Sequence, residues 1–144
     1  MTEFRRLSAS MLASPQITVA DVAAAKQQGV TLIVNNRPEG EGPDQTPGAE
    51  IEAAARAAGM DYLAIPITHA GFSHPQVAKL AEALGGTTGQ VLGYCRSGTR
   101  SALLWALAQA SRGEDPEAVS AAAAKAGYDV SPVRPAMDAL SAAR

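Results

Sequence analysis

The spacing of apolar residues changes repeatedly along the chain, and each change marks a boundary between a helix and a strand. Thr18 with Asp21 three residues on forms an acidic variant of the capping box, and Gly29 stands where a helix ends, so a helix is predicted over 18–28. Val30-Thr31-Leu32-Ile33-Val34 follows as a short β-branched run between Gly29 and Asn35-Asn36, the pattern of a central strand buried on both faces. Residues 36–48 contain Pro38, Gly40, Gly42, Pro43, Pro47 and Gly48, which predicts a long loop, and loops of that length are more often functional than idle. Ala49 to Ala58 reads as a helix ending at Gly59, and Tyr62-Leu63-Ala64-Ile65 as a strand stopped by Pro66. Ser73 and Pro75 suit the N-cap and first turn of a helix closing before Gly85-Gly86, and Gln90 to Tyr94 is a further strand. Ser101 to Ser111 reads as a mostly apolar helix, Asp115-Pro116 opens another that ends near Gly127, and Ser131 to Ala142 supplies the last. Strands alternating with helices predict an α/β fold of three layers, with helices on both faces of a mainly parallel sheet of about four to five strands.

Composition narrows the function classes. The 144 residues are 47% hydrophobic and fit one domain over 1–144 with an ordinary core. Twelve Lys and Arg against 14 Asp and Glu give a net charge of -2, scattered rather than clustered, so no nucleic-acid footprint is present. One cysteine and two histidines supply neither an internal disulfide nor a zinc site of the usual Cys/His types, and no metal or other cofactor is expected. No stretch approaches the roughly 18 to 20 consecutive apolar residues that cross a bilayer. Arg5-Arg6 faintly resembles the start of an export signal, but Ser8, Ser10, Ser14 and Pro15 break up the segment from Leu7 to Gln16. A cytoplasmic protein with Cys95 reduced is therefore expected.

The distinctive chemistry lies in Gly93-Tyr94-Cys95-Arg96-Ser97-Gly98-Thr99-Arg100-Ser101, between a predicted buried strand and a predicted buried helix. Ligand sites of open α/β sheets lie at the carboxyl ends of strands, which is where Cys95 falls. Backbone N–H groups of a short loop entering a helix form a nest for an anion, and the same field favours a thiolate over a thiol. Arg96 and Arg100 add positive charge, Gly98 permits a positive φ angle, and the hydroxyls of Ser97, Thr99 and Ser101 extend the anion loop, those of Thr99 and Ser101 as hydrogen-bond donors to the thiolate. Cys95 and Arg100 are thus the predicted catalytic pair. Arg37, just after a central strand, is a candidate for binding an anionic donor, whereas Glu39 and Glu41 read as solvated loop charges.

Cys-Arg-Ser-Gly-Thr-Arg-Ser resembles the active-site loop of rhodanese sulfurtransferases. The wider pattern resembles a bacterial family, the phosphatase-like domain of beta-lactamase-hydrolase-like proteins, often called a sulfur transferase family. The resemblance rests on Gln16-Ile17-Thr18, on Val34-Asn35-Asn36-Arg37-Pro38-Glu39-Gly40-Glu41, on Ala64-Ile65-Pro66-Ile67 and on Tyr94 to Trp105, and spans roughly residues 7 to 112. It implies a cysteine phosphatase-like fold. Such domains are often fused to a metallo-beta-lactamase-like persulfide dioxygenase, which this chain lacks, so the resemblance implies a dioxygenase of that kind as a partner.

Two chemistries use a thiolate ringed by amides. Cysteine phosphatases carry His-Cys-x5-Arg, whose loop wraps three phosphoryl oxygens while the arginine grips two of them. Here four residues separate Cys95 from Arg100 and Tyr94 replaces the histidine, a smaller cradle that suits one sulfane sulfur better. A phosphatase also needs a general acid upstream; the corresponding loop, Ile67 to Ser73, contains no carboxylate, Asp61 comes too early, and His69 is the candidate proton donor. His74 and Trp105 read as structural. The first expectation is a sulfurtransferase that takes sulfur from glutathione persulfide or thiosulfate onto Cys95 and passes it to an acceptor thiol. A cysteine-dependent phosphatase is the alternative, followed by a thiol-redox sensor and an anion-binding module without turnover.

Overall fold

A computed structural model describes residues 3–143. Five strands, β1 (Arg5–Ser8), β2 (Met11–Ser14), β3 (Val30–Asn35), β4 (Asp61–Ala64) and β5 (Gln90–Tyr94), form one sheet in the order β1-β2-β5-β3-β4. β2, β5, β3 and β4 are parallel, and β1 adds an antiparallel edge. The β1–β2 hairpin falls in the stretch whose serines had read only as a broken apolar segment. It is a strand pair because Met11, Leu12 and Ala13 dock on β5, a partner remote in the chain.

Helices α1 (Val19–Gln27) and α2 (Gly48–Ala57) cover one face; α3 (His74–Gly86), α4 (Thr99–Ser111), α5 (Pro116–Lys125) and α6 (Arg134–Ala142) cover the other. The capping box at Thr18 forms in both directions, with Thr18 N–H donating to Asp21 Oδ2 at 2.8 Å, and Ser73 and Gln76 make a second box that opens α3. Three boundaries differ from expectation. α3 runs on through Gly85-Gly86, α4 begins at Thr99, and a 3-10 turn over Ser131–Val133 precedes α6.

Burial on both faces explains why β3 reads as continuously apolar. Ile33 packs with Leu12 and Leu92 under α1 and α2, whereas Leu32 and Val34 pack with Met11, Ala13 and Val91 under α4. Strict alternation would put Val30 with Leu32, but the register shifts at exposed Thr31 and turns Val30 to the α1 side. Gly93 lies where α4 meets β5. A Cβ there would sit 2.9 Å from Met11 Cε and 3.3 Å from Ser101 Cβ, so glycine lets the first turn of α4 rest closely on the sheet. Among the described residues no helix is long and apolar enough to cross a membrane.

Candidate active site

The connections leaving β3, β4 and β5 meet at the carboxyl edge of the sheet, and one buried side chain ties them together. Asn36 N–H donates to the Tyr94 carbonyl at 2.8 Å, and Ile67 N–H donates to the Asn36 carbonyl at 2.9 Å, extending the ladder beyond the strands. The Asn36 amide donates to the Ile65 carbonyl at 2.9 Å and accepts from Ser101 Oγ at 2.7 Å. Ser101 therefore faces Asn36, not the sulfur as expected, because its hydroxyl has a buried carboxamide within reach.

Cys95 begins the short loop that leads from β5 into α4. Its N–H donates to the Ser14 carbonyl at 3.3 Å, and its side chain is fully buried. Gly98, at φ 92° and ψ −14°, turns its N–H onto Cys95 Sγ at 3.1 Å. Gly98 gives α4 no side-chain cap, and apart from the Thr99 N–H the amides of its first turn suit the nest argument. Ser97 Oγ donates to Thr99 Oγ1 at 3.1 Å and accepts from Thr99 N–H at 3.4 Å; these two hydroxyls brace the loop instead of touching the thiol.

Arg100 is clamped by a residue that the sequence did not single out. Its Nη1 donates to Glu41 Oε2 at 2.7 Å and to the Ile67 carbonyl at 2.9 Å, and its Nη2 donates to Glu41 Oε1 at 2.8 Å. Three of the five guanidinium N–H groups are thereby used, and the Arg100 pKa is raised, first by its hydrogen bond to Glu41 and further by Cys95 nearby. Glu41 is lowered from 4.5 to about 2, first by its hydrogen bond to Arg100 and, against some desolvation, by Arg37 as well.

Arg37 does not stand open to a ligand. It is 6% exposed, donates from Nε to Glu41 Oε1 and from Nη1 to Gln16 Oε1, both at 3.0 Å, and so anchors the Glu41 carboxylate from behind. Glu39 likewise is no idle loop charge, since it accepts from Gly48 N–H at 2.9 Å at the start of α2. Both corrections have one cause: the 36–47 connection folds back on itself, so acidic residues spaced like surface charges meet buried donors.

A pocket of about 330 Å³ opens above the loop, lined by Glu41, Thr68, His69, Arg96 and Arg100. Arg96 and His69 are exposed there, His69 on a tight turn closed by Gly71 N–H to the Thr68 carbonyl at 3.0 Å. Tyr94 packs on the α1 side of the sheet, away from the pocket, and burial pushes its phenol pKa upward. Asp61 opens β4 at the opposite edge, His74 starts α3, and Trp105 is core. A larger cavity of about 510 Å³, lined by Ser120, Tyr128 and Arg134 among others, lies beside α5 and is lined by none of residues 95–100. Among the described residues no group of three or more His, Cys, Asp or Glu could hold a metal ion.

A cysteine at the end of a central parallel strand, a short amide loop and an arginine on the following helix, within an α-β-α sandwich, define an enzyme of the cysteine phosphatase-like fold. A crystal structure from Neisseria meningitidis Z2491, described as a candidate phosphatase, superposes with a TM-score of 0.81 at 30% identity over 94% of this chain and 96% of that one. The profile of the phosphatase-like domain of beta-lactamase hydrolase-like proteins matches residues 3–112, and the chain belongs to that family. A beta-lactamase hydrolase-like protein of Agrobacterium fabrum is 32% identical over 108 residues, 75% of this chain and 25% of that protein. One from Xylella fastidiosa Temecula1 is 39% identical over 84 residues, 58% of this chain and 19% of that protein. The chain thus spans a quarter or less of the length of these curated relatives.

Proposed function

We propose that the protein is a sulfurtransferase that carries sulfane sulfur as a persulfide on Cys95. The Cys95 thiolate attacks the outer sulfur of thiosulfate or of an organic persulfide such as glutathione persulfide; a new S–S bond forms, the donor S–S bond breaks, and the electron pair leaves on sulfite or thiolate. An acceptor thiolate then takes the outer sulfur and releases Cys95. The observation that carries this reading is Glu41. It is the one carboxylate lining the pocket, and Arg100 and Arg37 hold it ionised at neutral pH, where it has no proton to give a departing alkoxide. Sulfite and low-pKa thiolates leave without one. The four-residue spacing between Cys95 and Arg100 and the single Gly98 N–H on the sulfur also suit a one-atom cargo. A cytoplasmic setting and a persulfide dioxygenase as the downstream partner belong to this proposal.

Phosphate ester hydrolysis is the second reading, favoured by the likeness to the Neisseria structure and by His69, which overlooks the pocket as a proton donor would. Intact mass spectrometry after exposure to thiosulfate or glutathione persulfide separates the two. A gain of one sulfur on the wild type and none on Cys95→Ser, discharged by cyanide or an acceptor thiol, is expected. No adduct, together with aryl phosphate hydrolysis that falls in His69→Ala, overturns sulfur transfer in favour of the phosphatase.

A further inference from the structure

Tyr128 lies beyond residues 3–112, the part shared with the family profile, yet its side chain reaches the nucleophile loop. α5 ends at Lys125; two residues on, Gly127 with a φ of +93° turns the chain back, and Tyr128 N–H donates to the Ala123 carbonyl at 2.9 Å. Arg5 of β1 covers the ring, its Cζ 5.6 Å from the centroid, and is itself fixed by donating from Nη1 to the Ala126 carbonyl at 3.0 Å. The phenol end meets Gly98. A Cβ on Gly98 would lie 2.3 Å from Tyr128 Oη, 3.0 Å from Cζ and 3.3 Å from the Ser14 carbonyl carbon. The Tyr128 hydroxyl is buried without a hydrogen-bond partner among the described residues, so its contact with Gly98 is one of packing.

We propose that Tyr128 is a positioning residue for Cys95, its ring wedged against Gly98 so that the left-handed turn holds the Gly98 N–H on the sulfur. The inference rests on the reading of Cys95 as the nucleophile and holds for either cargo. Ser14 and Tyr128 close in on the Cα of the residue whose N–H reaches Sγ, leaving no space there for a side chain. A glycine without that wall would sample both signs of φ freely. The phenol end does this by contact, Oη lying nearer to Gly98 than Cζ, so removing Oη alone opens part of the gap that removing the whole ring opens fully.

The test titrates the ultraviolet absorbance of the thiolate, which reports only Cys95 because the chain has no other cysteine. In Tyr128→Ala the midpoint moves up by about one pH unit, the size expected for losing one hydrogen bond to a charged group. Tyr128→Phe, which takes away only Oη, moves it by less. Met137→Ala stays at the wild-type midpoint, since it loosens the same C-terminal helices at a fully buried residue that is not among the atoms facing Gly98. An unmoved midpoint in Tyr128→Ala, an equal shift in Met137→Ala, or a shift in Tyr128→Phe as large as in Tyr128→Ala overturns the proposal. Should Tyr128→Ala not fold, amide exchange in the wild type decides: a Gly98 N–H as slow as the β5 amides supports the wedge, and fast exchange overturns it. The expected midpoints in a protein that takes up neither sulfur nor phosphoryl groups would leave the wedge standing and remove the function proposed above.

Discussion

Glu41→Gln removes the charge that Arg100 and Arg37 share while keeping the side chain's shape. A fall from 4.5 to about 2 corresponds to roughly 3 kcal/mol of preference for the carboxylate in the folded chain, at about 1.4 kcal/mol per pH unit. Glu41 is 26% exposed, and water screens ion pairs of that kind, so about 1.5 kcal/mol is the working figure. For a domain of this size that is a drop of about 5 °C in melting temperature at neutral pH. The direction with pH follows from the lowered value. A carboxylate whose folded pKa lies below its unfolded one adds stability above about 4.5 and loses it as pH falls toward about 2. Thermal melts of wild type and Glu41→Gln should therefore diverge at neutral pH and converge only near about pH 2. A gap that stays constant over this range, or no gap at neutral pH, contradicts the assignment of Glu41 as an ionised clamp.

Other consequences can be checked alongside. Arg100→Lys keeps one charge but cannot hold Glu41, the Ile67 carbonyl and the sulfur side together, and turnover should fall by about a hundredfold with the fold intact, as steady-state kinetics and circular dichroism would show. Asn36→Ala strands the Ser101 hydroxyl and the Ile65 carbonyl in the core and should cost about 2–4 kcal/mol in urea unfolding. Gly48→Ala would place a methyl 2.7 Å from Glu39 Oε2 and 2.9 Å from both Asn35 Nδ2 and Tyr62 Oη, so it should destabilise by about 1–3 kcal/mol, whereas Gly85→Ala meets nothing within 4 Å and should not.

Much of this architecture is written in local patterns. The Thr18 box, the Gly29 stop, the apolar run of β3 and the Asp115-Pro116 start are each decided by a few adjacent residues, and each stands where the pattern put it. The β1–β2 hairpin is not local. Four residues broken by serines become a strand because β5 offers Met11 and Leu12 a partner about 80 residues away, and no periodicity within the segment announces that. The site divides the same way. The Cys95 loop is legible because one short segment holds nucleophile, glycine and arginine. Glu41 reaches Arg100 across 59 residues, and Ser101 finds Asn36 across 65, contacts set by the docking of loops rather than by spacing. Arg37 looked available only because its two partners, Gln16 and Glu41, are themselves loop residues.

The place of β2 between β1 and β5 also bears on how the chain reaches its native state during synthesis. β2 has only these two neighbours, and β1 alone makes a hairpin of a size that is marginal in water. Until residues 90–94 leave the ribosome, the amino-terminal hairpin has no sheet to join, although β3 and β4 can already pair. Insertion of β5 closes the sheet from both sides at once, and residues 95–100 follow it out of the exit tunnel. The 95–100 loop thus takes its place with the last strand, so Cys95 joins the fold only once the sheet that holds it is complete.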